Sequence, residues 1–261
     1  MDRLEFDAQA PAFDRRAGLP TAAARSVATA VLSLVGHRGV VVDVGAGTGE
    51  IGVDLARSLP GRYLGFDISL PMLQSFRCKS ESAPWLIRAD ADRPWPVVAE
   101  SAGLIFLSRS AHLLAPQHLS QEICRVARQD LGAIVIGRIR RPKDSVRSQM
   151  RREMRRFLAR KGIEGRDGDG ARRQLLERLR SFGFLHLEHR TAASWPRDER
   201  PMDSLRAWRP KNGLGGRALS PETHHRVLDQ VEAWARERWE DLETTFHSEE
   251  VYELTVIRRG V

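Results

Sequence analysis

Residues Val40–Ala56 have the sequence VVVDVGAGTGEIGVDLA, which contains the patterns of a strand, a turn and a helix in succession. The run of β-branched residues at the start predicts a short buried strand. Gly45, Gly47 and Gly49 then predict a tight turn, and the following residues have the spacing of a helix. A strand, a glycine-rich turn and a helix together are typical of an α/β domain that binds a nucleotide-like cofactor.

The same alternation continues on both sides of this segment. Short apolar runs predict five core strands, and amphipathic or Pro-capped stretches predict the helices between them. Such alternation predicts a parallel sheet covered by helices on both faces. Two later runs predict closing strands, which makes seven in all. The predicted strands are 39–45, 62–69, 85–90, 102–108, 132–139, 185–195 and 250–259.

Composition limits the class of protein. The chain has 261 residues, of which 41% are hydrophobic, so it can bury a sizeable core. No apolar run approaches the ~20 residues of a membrane span, and the first twenty residues lack the apolar stretch of a secretory signal. Cys78 and Cys124 are too few for a disulfide framework or a metal cluster. We therefore expect a cytoplasmic protein without a metal site.

The glycine turn does not fit a dinucleotide. The dinucleotide fingerprint requires Gly-x-Gly-x-x-Gly, whereas the third glycine here, Gly49, comes one residue early. Asp43 and Glu50 would also place two negative charges beside a pyrophosphate. A phosphate-binding loop is excluded because no Gly-Lys-Ser/Thr follows the turn.

A cationic adenosyl cofactor fits better. Asp43 suits an ammonium group, and Gly45 and Gly47 let the backbone approach the ligand closely. Asp67 ends the second predicted strand 18 residues after Gly49, near the spacing of an acid that binds ribose. Asp90 ends the third strand, where it could reach an adenine amino group. We therefore expect these three carboxylates to meet at one edge of the sheet.

These motifs resemble those of the class I S-adenosylmethionine-dependent methyltransferases, in particular the type 11 group. The resemblance covers roughly residues 5–140. It rests on VVDVGAGTGEIG, on YLGFDIS followed by PMLQSFR, on RADADRPWP, on LIFLSRSAHLLA, and on the N-terminal FDAQAPAFDRRAGLP. The resemblance implies a Rossmann-like fold and S-adenosylmethionine as the cofactor. It implies that the cofactor contacts Asp43, Gly45, Ala46, Gly47, Asp67, Ile68, Asp90, Ala91 and Ser108.

His112 occupies the place where the fourth-strand motif usually carries a histidine. It is the candidate general base, needed only if the acceptor must lose a proton. The resemblance also implies that residues 1–30 form an arm and helix that cover the cofactor. Phe13-Asp14 stands where relatives usually have Tyr-Asp. Residues 31–261 form the catalytic domain, with insertions at about 141–180 and 196–245 that we expect to form a helical lid.

The acceptor is left open by the sequence. A small molecule, methylated at oxygen, nitrogen or carbon, is the first hypothesis, since such an acceptor needs a lid to exclude water. The formal charge is +8, and residues 143–183 contain 13 Lys and Arg against 6 Asp and Glu. A basic helix at 147–160 therefore also allows an RNA (tRNA) acceptor or an acidic carrier protein. A non-catalytic regulatory subunit is the remaining alternative.

Overall fold

The computed structural model describes residues 7, 10, 13–14, 18–36, 38–129, 133–165 and 167–260. Much of the expected N-terminal arm at residues 1–30 therefore lies outside the described residues. No helix of the described part is long and apolar enough to cross a membrane.

The helices and strands alternate as predicted over the first half of the chain. The helices are α1 (Thr21–Leu32), α2 (Gly52–Ser58), α3 (Leu70–Lys79), α4 (Pro116–Val126), α5 (Val146–Ala159), α6 (Gly168–Ser181), α7 (Pro201–Trp208) and α8 (Pro221–Arg238). The strands are β1 (Val40–Val44), β2 (Tyr63–Asp67), β3 (Trp85–Arg88), β4 (Ala102–Ser108), β5 (Ala133–Arg140), β6 (His186–Glu199), β7 (Gly213–Leu214), β8 (Arg217–Ala218) and β9 (Phe246–Arg258).

Seven strands form one sheet in the order β3-β2-β1-β4-β5-β9-β6. The pairs β3/β2, β2/β1, β1/β4 and β4/β5 are parallel. In the register of these pairs, Asp43 lies opposite both Gly65 and Phe106. The predicted Rossmann-like, seven-stranded and mostly parallel sheet is confirmed.

The parallel strands are nearly continuous runs of buried residues because both faces of the sheet are covered. The first six residues of β4 are all buried. Helix α4 has a strong apolar face, which places Leu119, Ile123 and Val126 fully in the core against the sheet. The predicted five-strand centre thus forms one hydrophobic core.

The chain divides into two compact units. Unit 1 comprises residues 1–139, 168–194 and 251–261, and unit 2 comprises residues 140–167 and 195–250. Helix α6, which the sequence analysis assigned to the first insertion, belongs to unit 1. Its Leu175 and Leu179 are buried in the core of the sheet. The basic segment at 143–183 is therefore split between the two units.

Unit 2 has a hydrophobic core of its own. Met150, Met154 and Leu158 lie at helical spacing on α5 and are buried in one cluster with Val227 and Val231 of α8. Ser145 begins α5 and Ser220 begins α8, and each serine oxygen accepts a hydrogen bond from a backbone N–H in the first turn. Residues 196–218 contain the end of β6, helix α7 and the small β7/β8 hairpin.

Gly49 shows how closely the glycine turn packs on the helices below it. Its φ is +76°, and a Cβ added there would lie 2.3 Å from Cγ of Phe76. Phe76 lies on α3 and is fully buried, so it cannot move aside. Gly49 is therefore required for packing as well as for the turn.

We predict that Gly49→Ala destabilises the protein by about 2–4 kcal/mol, because it combines left-handed backbone strain with overpacking. Gly61→Ala is the matched control, since Gly61 has φ +69° but nothing within 4 Å of an added Cβ. Gly61→Ala should therefore lose only the about 1–2 kcal/mol of stability that comes from left-handed backbone strain. Urea unfolding measures both values. Equal losses in the two variants would contradict the packing argument.

Candidate active site

A single cleft in unit 1 collects most of the predicted cofactor residues. It lies at the ends of β1, β2 and β4 and has a cavity volume of about 160 Å³. The predicted residues that line it are Asp43, Gly45, Ala46, Gly47, Asp67, Ile68, Asp90, Ala91 and Ser108.

The glycine turn forms one wall of the cleft. The backbone N–H groups of Gly45 and Ala46 both donate to the Phe66 carbonyl, at 2.9 and 3.0 Å, which ties the turn to the end of β2. Gly47 has φ +55°, and the atom nearest to an added Cβ would be the Gly45 carbonyl oxygen at 4.0 Å. The wall at Gly47 is therefore bare backbone, open to close approach by a ligand.

Asp43 is a buried carboxylate with one unsatisfied oxygen. Its side chain is at the end of β1 and the residue is only 2% exposed. The Tyr63 hydroxyl donates to Oδ2 at 2.6 Å, whereas Oδ1 has no hydrogen-bond partner among the described residues. Burial raises the pKa of Asp43 to about 7, against the lowering effect of the Tyr63 hydrogen bond. A cation at Oδ1 would satisfy this group.

Asp67 connects the glycine turn to the end of β2. Its Oδ2 accepts from the backbone N–H of Gly47, and its Oδ1 accepts from that of Ser69, both at 2.9 Å. Burial raises the pKa of Asp67 despite these two hydrogen bonds. Each oxygen keeps acceptor capacity for a ligand hydroxyl, because a carboxylate oxygen can accept two hydrogen bonds.

Asp90 and Asp92 have different local roles after β3. Oδ1 of Asp90 accepts from the backbone N–H of Asp92 at 2.9 Å. Oδ1 of Asp92 accepts from the backbone N–H of Ala115, the residue before α4, at 2.8 Å. Both line the cleft, but Asp92 has a clear structural task at the start of a helix. Asp90 is therefore the better placed of the two for a ligand.

Ser108 ends β4 on the cleft wall and is fixed by a distant tyrosine. Its Oγ lies 2.6 Å from the hydroxyl of Tyr252 on β9. Tyr252 is fully buried, which raises the pKa of its hydroxyl well above the usual value. Sequence reasoning missed Tyr252, because 144 residues separate the two partners.

His112 is the one predicted site residue that the structure does not bring to the cleft. It lies in the single 3₁₀ turn Ala111–Leu113, its side chain is exposed, and its Cβ lies near Gly168 at the start of α6. The neighbouring residues Ser110, Leu113 and Leu114 line the cleft instead. Successive side chains of a 3₁₀ turn point in different directions, because the turn has three residues per repeat. The side chain of His112 therefore does not point the same way as those of its neighbours that line the cleft.

An ion pair at the cleft was not foreseen. Arg109 donates to Oε2 of Glu50 at 2.5 Å, and both side chains are largely buried. The backbone N–H of Leu19 donates to the other carboxylate oxygen of Glu50. Burial raises the pKa of Glu50, and Arg109 opposes this. Arg109 has φ +56°, a backbone conformation that is unusual outside glycine and is found at functional sites.

The described part of the N-terminal segment is bound beside the cleft. Asp14 accepts from the Thr48 hydroxyl at 2.5 Å and forms an ion pair with Lys79. The Phe13 ring lines the cleft, with its centroid 5.9 Å from the Arg109 guanidinium carbon. Phe13 and Asp14 therefore lie beside the cleft, while the arm over residues 1–30 stays a prediction.

Comparisons with known proteins agree with this geometry. Residues 41–130 match the family described as "Methyltransferase domain". A search of curated protein sequences found no significant match to the chain.

Many solved structures share the fold. A putative methyltransferase from Bacillus halodurans has a TM-score of 0.55 at 14% identity, over 90% of this chain and 99% of that one. A Thermotoga maritima S-adenosylmethionine-dependent methyltransferase, described as a possible histamine N-methyltransferase, has a TM-score of 0.52 at 14% identity, over 97% and 99%. A putative methyltransferase of Haloferax volcanii, solved with the Trm112 activator, has a TM-score of 0.50 at 19% identity, over 98% of each chain.

At these identities the solved structures establish the fold, and the matched segment contains the glycine turn and the acidic strand ends. Residues 41–130 are thus similar to a methyltransferase domain, within a chain that has the fold of solved methyltransferase structures.

Proposed function

We propose that the cleft holds S-adenosylmethionine through the acidic residues at the strand ends. The unsatisfied Oδ1 of Asp43 fits the ammonium group of the amino-acid tail, and the bare backbone at Gly47 fits close contact with that tail. The oxygens of Asp67 accept from the ribose hydroxyls. Asp90 accepts from the adenine amino group, beside Ile68 and Ala91. The buried, half-satisfied carboxylate of Asp43 carries this assignment.

The bound cofactor supplies an electrophilic methyl group on a sulfonium. The protein has little acid–base chemistry to perform, because displacement at that methyl depends mainly on holding the acceptor in line. Ser108, Arg109 and Phe13 line the cleft and are the residues proposed to position the acceptor. His112 is not proposed as a base, because its exposed side chain is not among the residues described as lining the cleft.

We propose a small molecule as the acceptor. The cleft has a largely nonpolar lining that includes Met72, Leu113 and Leu114, and such surfaces suit a small organic ligand. The helical lid expected from residues 141–180 and 196–245 stays a prediction.

An RNA acceptor is less well supported. The sequence predicted a basic helix at 147–160 whose arginines could follow a phosphate backbone. Two of these arginines already have partners within the helix, since Arg156 pairs with Glu153 and Arg160 stacks on Phe157. These contacts weaken the case for an extended phosphate-binding surface.

We predict that wild-type affinity for S-adenosylmethionine falls as the pH drops below 7. Asp43 must be ionised to pair with an ammonium, and its pKa is about 7. Affinity should fall by up to about tenfold per pH unit below that value. Titration calorimetry between pH 8 and 5 measures it. In Asp43→Asn the affinity should be low and should lose the part of this pH dependence that comes from Asp43, leaving only that of Asp67. A variant that keeps the full wild-type pH dependence would contradict the assignment.

The raised pKa of Asp43 also predicts that the stability of the ligand-free protein depends on pH. The carboxyl of Asp43 ionises near 3.8 in the unfolded chain and near 7 in the folded one. The folded state thus binds the extra proton between these values, and wild-type stability falls as the pH rises through that window. Asp43→Asn should lack this fall. Urea unfolding at pH 5 and pH 8 compares the two proteins.

We predict that Asp67→Ala weakens cofactor binding by about 1–3 kcal/mol, because charge-assisted hydrogen bonds are lost. Asp92→Ala is the matched control. It should mainly lower thermal stability, since Asp92 accepts from the residue that begins α4. Equilibrium dialysis and thermal unfolding separate the two effects. Unchanged affinity in Asp67→Ala would refute the ribose assignment.

The acceptor class is tested by release of S-adenosylhomocysteine. The purified protein is incubated with S-adenosylmethionine and either a panel of small amines, phenols and carboxylic acids or total tRNA. We expect turnover with a member of the small-molecule panel and none with tRNA. Turnover on tRNA, together with steep salt dependence of tRNA binding, would overturn the proposal.

A further inference from the structure

Unit 2 brings five arginines into mutual electrostatic contact. Arg147, Arg151 and Arg155 follow one another at i+4 on α5, so their side chains lie on one face of the helix. Arg141, just after β5, and Arg197, on β6, interact electrostatically with members of this row. We call these five residues the arginine cluster.

Two buried carboxylates support the cluster without balancing its charge. Glu250 is 4% exposed and forms an ion pair with Arg141. Glu199 is 6% exposed, and its Oε2 accepts from the backbone N–H of Arg147 at 3.2 Å. Arg141, Arg147, Arg151 and Arg197 thus lie near only these two anions, so positive charge exceeds negative charge among these described residues.

Arg147 and Arg151 carry this excess. Among the residues that the structure describes, neither guanidinium has a carboxylate within ion-pair distance. Burial, followed by Arg141, Arg147 and Arg155, lowers the pKa of Arg151 to about 10, and burial and Arg141 lower that of Arg147. The Arg151 side chain nevertheless keeps access to solvent. The two guanidiniums are thus crowded by protein and by like charges, yet open to an incoming ion.

The other arginines of α5 have a different environment. Arg152 contacts the Lys143 carbonyl at 3.5 Å, Arg156 pairs with Glu153, and Arg160 stacks on Phe157. Their charges are spread along an exposed face. The same helix therefore offers a convergent set of arginines and a dispersed set of equal charge.

We propose that the arginine cluster of unit 2 is a binding site for a compact phosphate-bearing anion, held mainly by Arg147 and Arg151. A phosphate offers several oxygens to the fork of each guanidinium and supplies the negative charge that the cluster lacks. A compact anion fits better than RNA, because Arg147 and Arg151 are one turn apart on one face of α5, whereas Arg156 and Arg160 already have partners in that helix. The inference stands on unit 2 alone and does not depend on the identity of the methyl acceptor.

The test measures binding of pyrophosphate to the full-length protein by titration calorimetry at constant ionic strength. We expect saturable binding to the wild type, at least about tenfold weaker in Arg147→Gln and in Arg151→Gln. Arg152→Gln and Arg160→Gln remove the same charge from the dispersed row, and we expect them to bind as the wild type does. Equal weakening in all four variants would show diffuse attraction and overturn the proposal.

Thermal unfolding separates binding loss from misfolding. Without ligand, Arg151→Gln should unfold at the same temperature as the wild type or higher, because it removes like-charge repulsion. Pyrophosphate should raise the unfolding temperature of the wild type and not that of the variant. Arg151→Lys keeps the charge but loses the fork, so it should recover only part of the affinity. Full recovery would show that fork geometry plays no part.

Two further ligands identify the source of the phosphate. Inorganic phosphate and glycerol phosphate distinguish a free ion from an organic ester, and tighter binding of either identifies the form that the cluster takes. Absence of saturable binding to all three phosphates would overturn the proposal. So would tRNA binding that depends equally on the convergent and the dispersed arginines.

Discussion

The site depends on a buried carboxylate that the protein satisfies only in part. Asp43 belongs to the last residues of β1, where parallel pairing with β2 and β4 excludes water from both sides. Tyr63 supplies one hydrogen bond, and the second oxygen faces the cleft without a partner among the described residues. Its desolvation opposes folding. The unsatisfied oxygen therefore lowers the stability of the ligand-free protein. A ligand that brings a cation to that oxygen removes this cost and stabilises the fold.

Local sequence signals predicted the sheet and most of the site because both depend on short-range patterns. β-branched runs and glycine turns fix where each strand ends, and the ends of parallel strands share one edge of the sheet. Asp43, Asp67 and Asp90 could therefore be placed together without knowledge of any side-chain contact. Their hydrogen bonds follow the same logic, since Asp67 accepts from the glycine turn itself.

Features that depend on distant contacts were beyond the sequence. Tyr252 fixes Ser108 from the far end of the chain, and nothing in the local pattern of β9 indicates it. Helix α6 has the basic composition of the preceding insertion, yet its Leu175 and Leu179 pack into the core of the sheet. His112 has the expected position in its motif, but the direction of its side chain depends on a 3₁₀ turn that no motif reveals.

The charges around the cleft fit the proposed cationic ligand. Glu50 is neutralised by Arg109, and Asp14 by Lys79, so these pairs add little net charge beside the ligand. Asp43 and Asp67 have hydrogen bonds but form no ion pair with a described residue, and the charge of Asp67 raises the pKa of Asp43 further. A dinucleotide would increase that repulsion, whereas a ligand with an ammonium and a sulfonium lowers it.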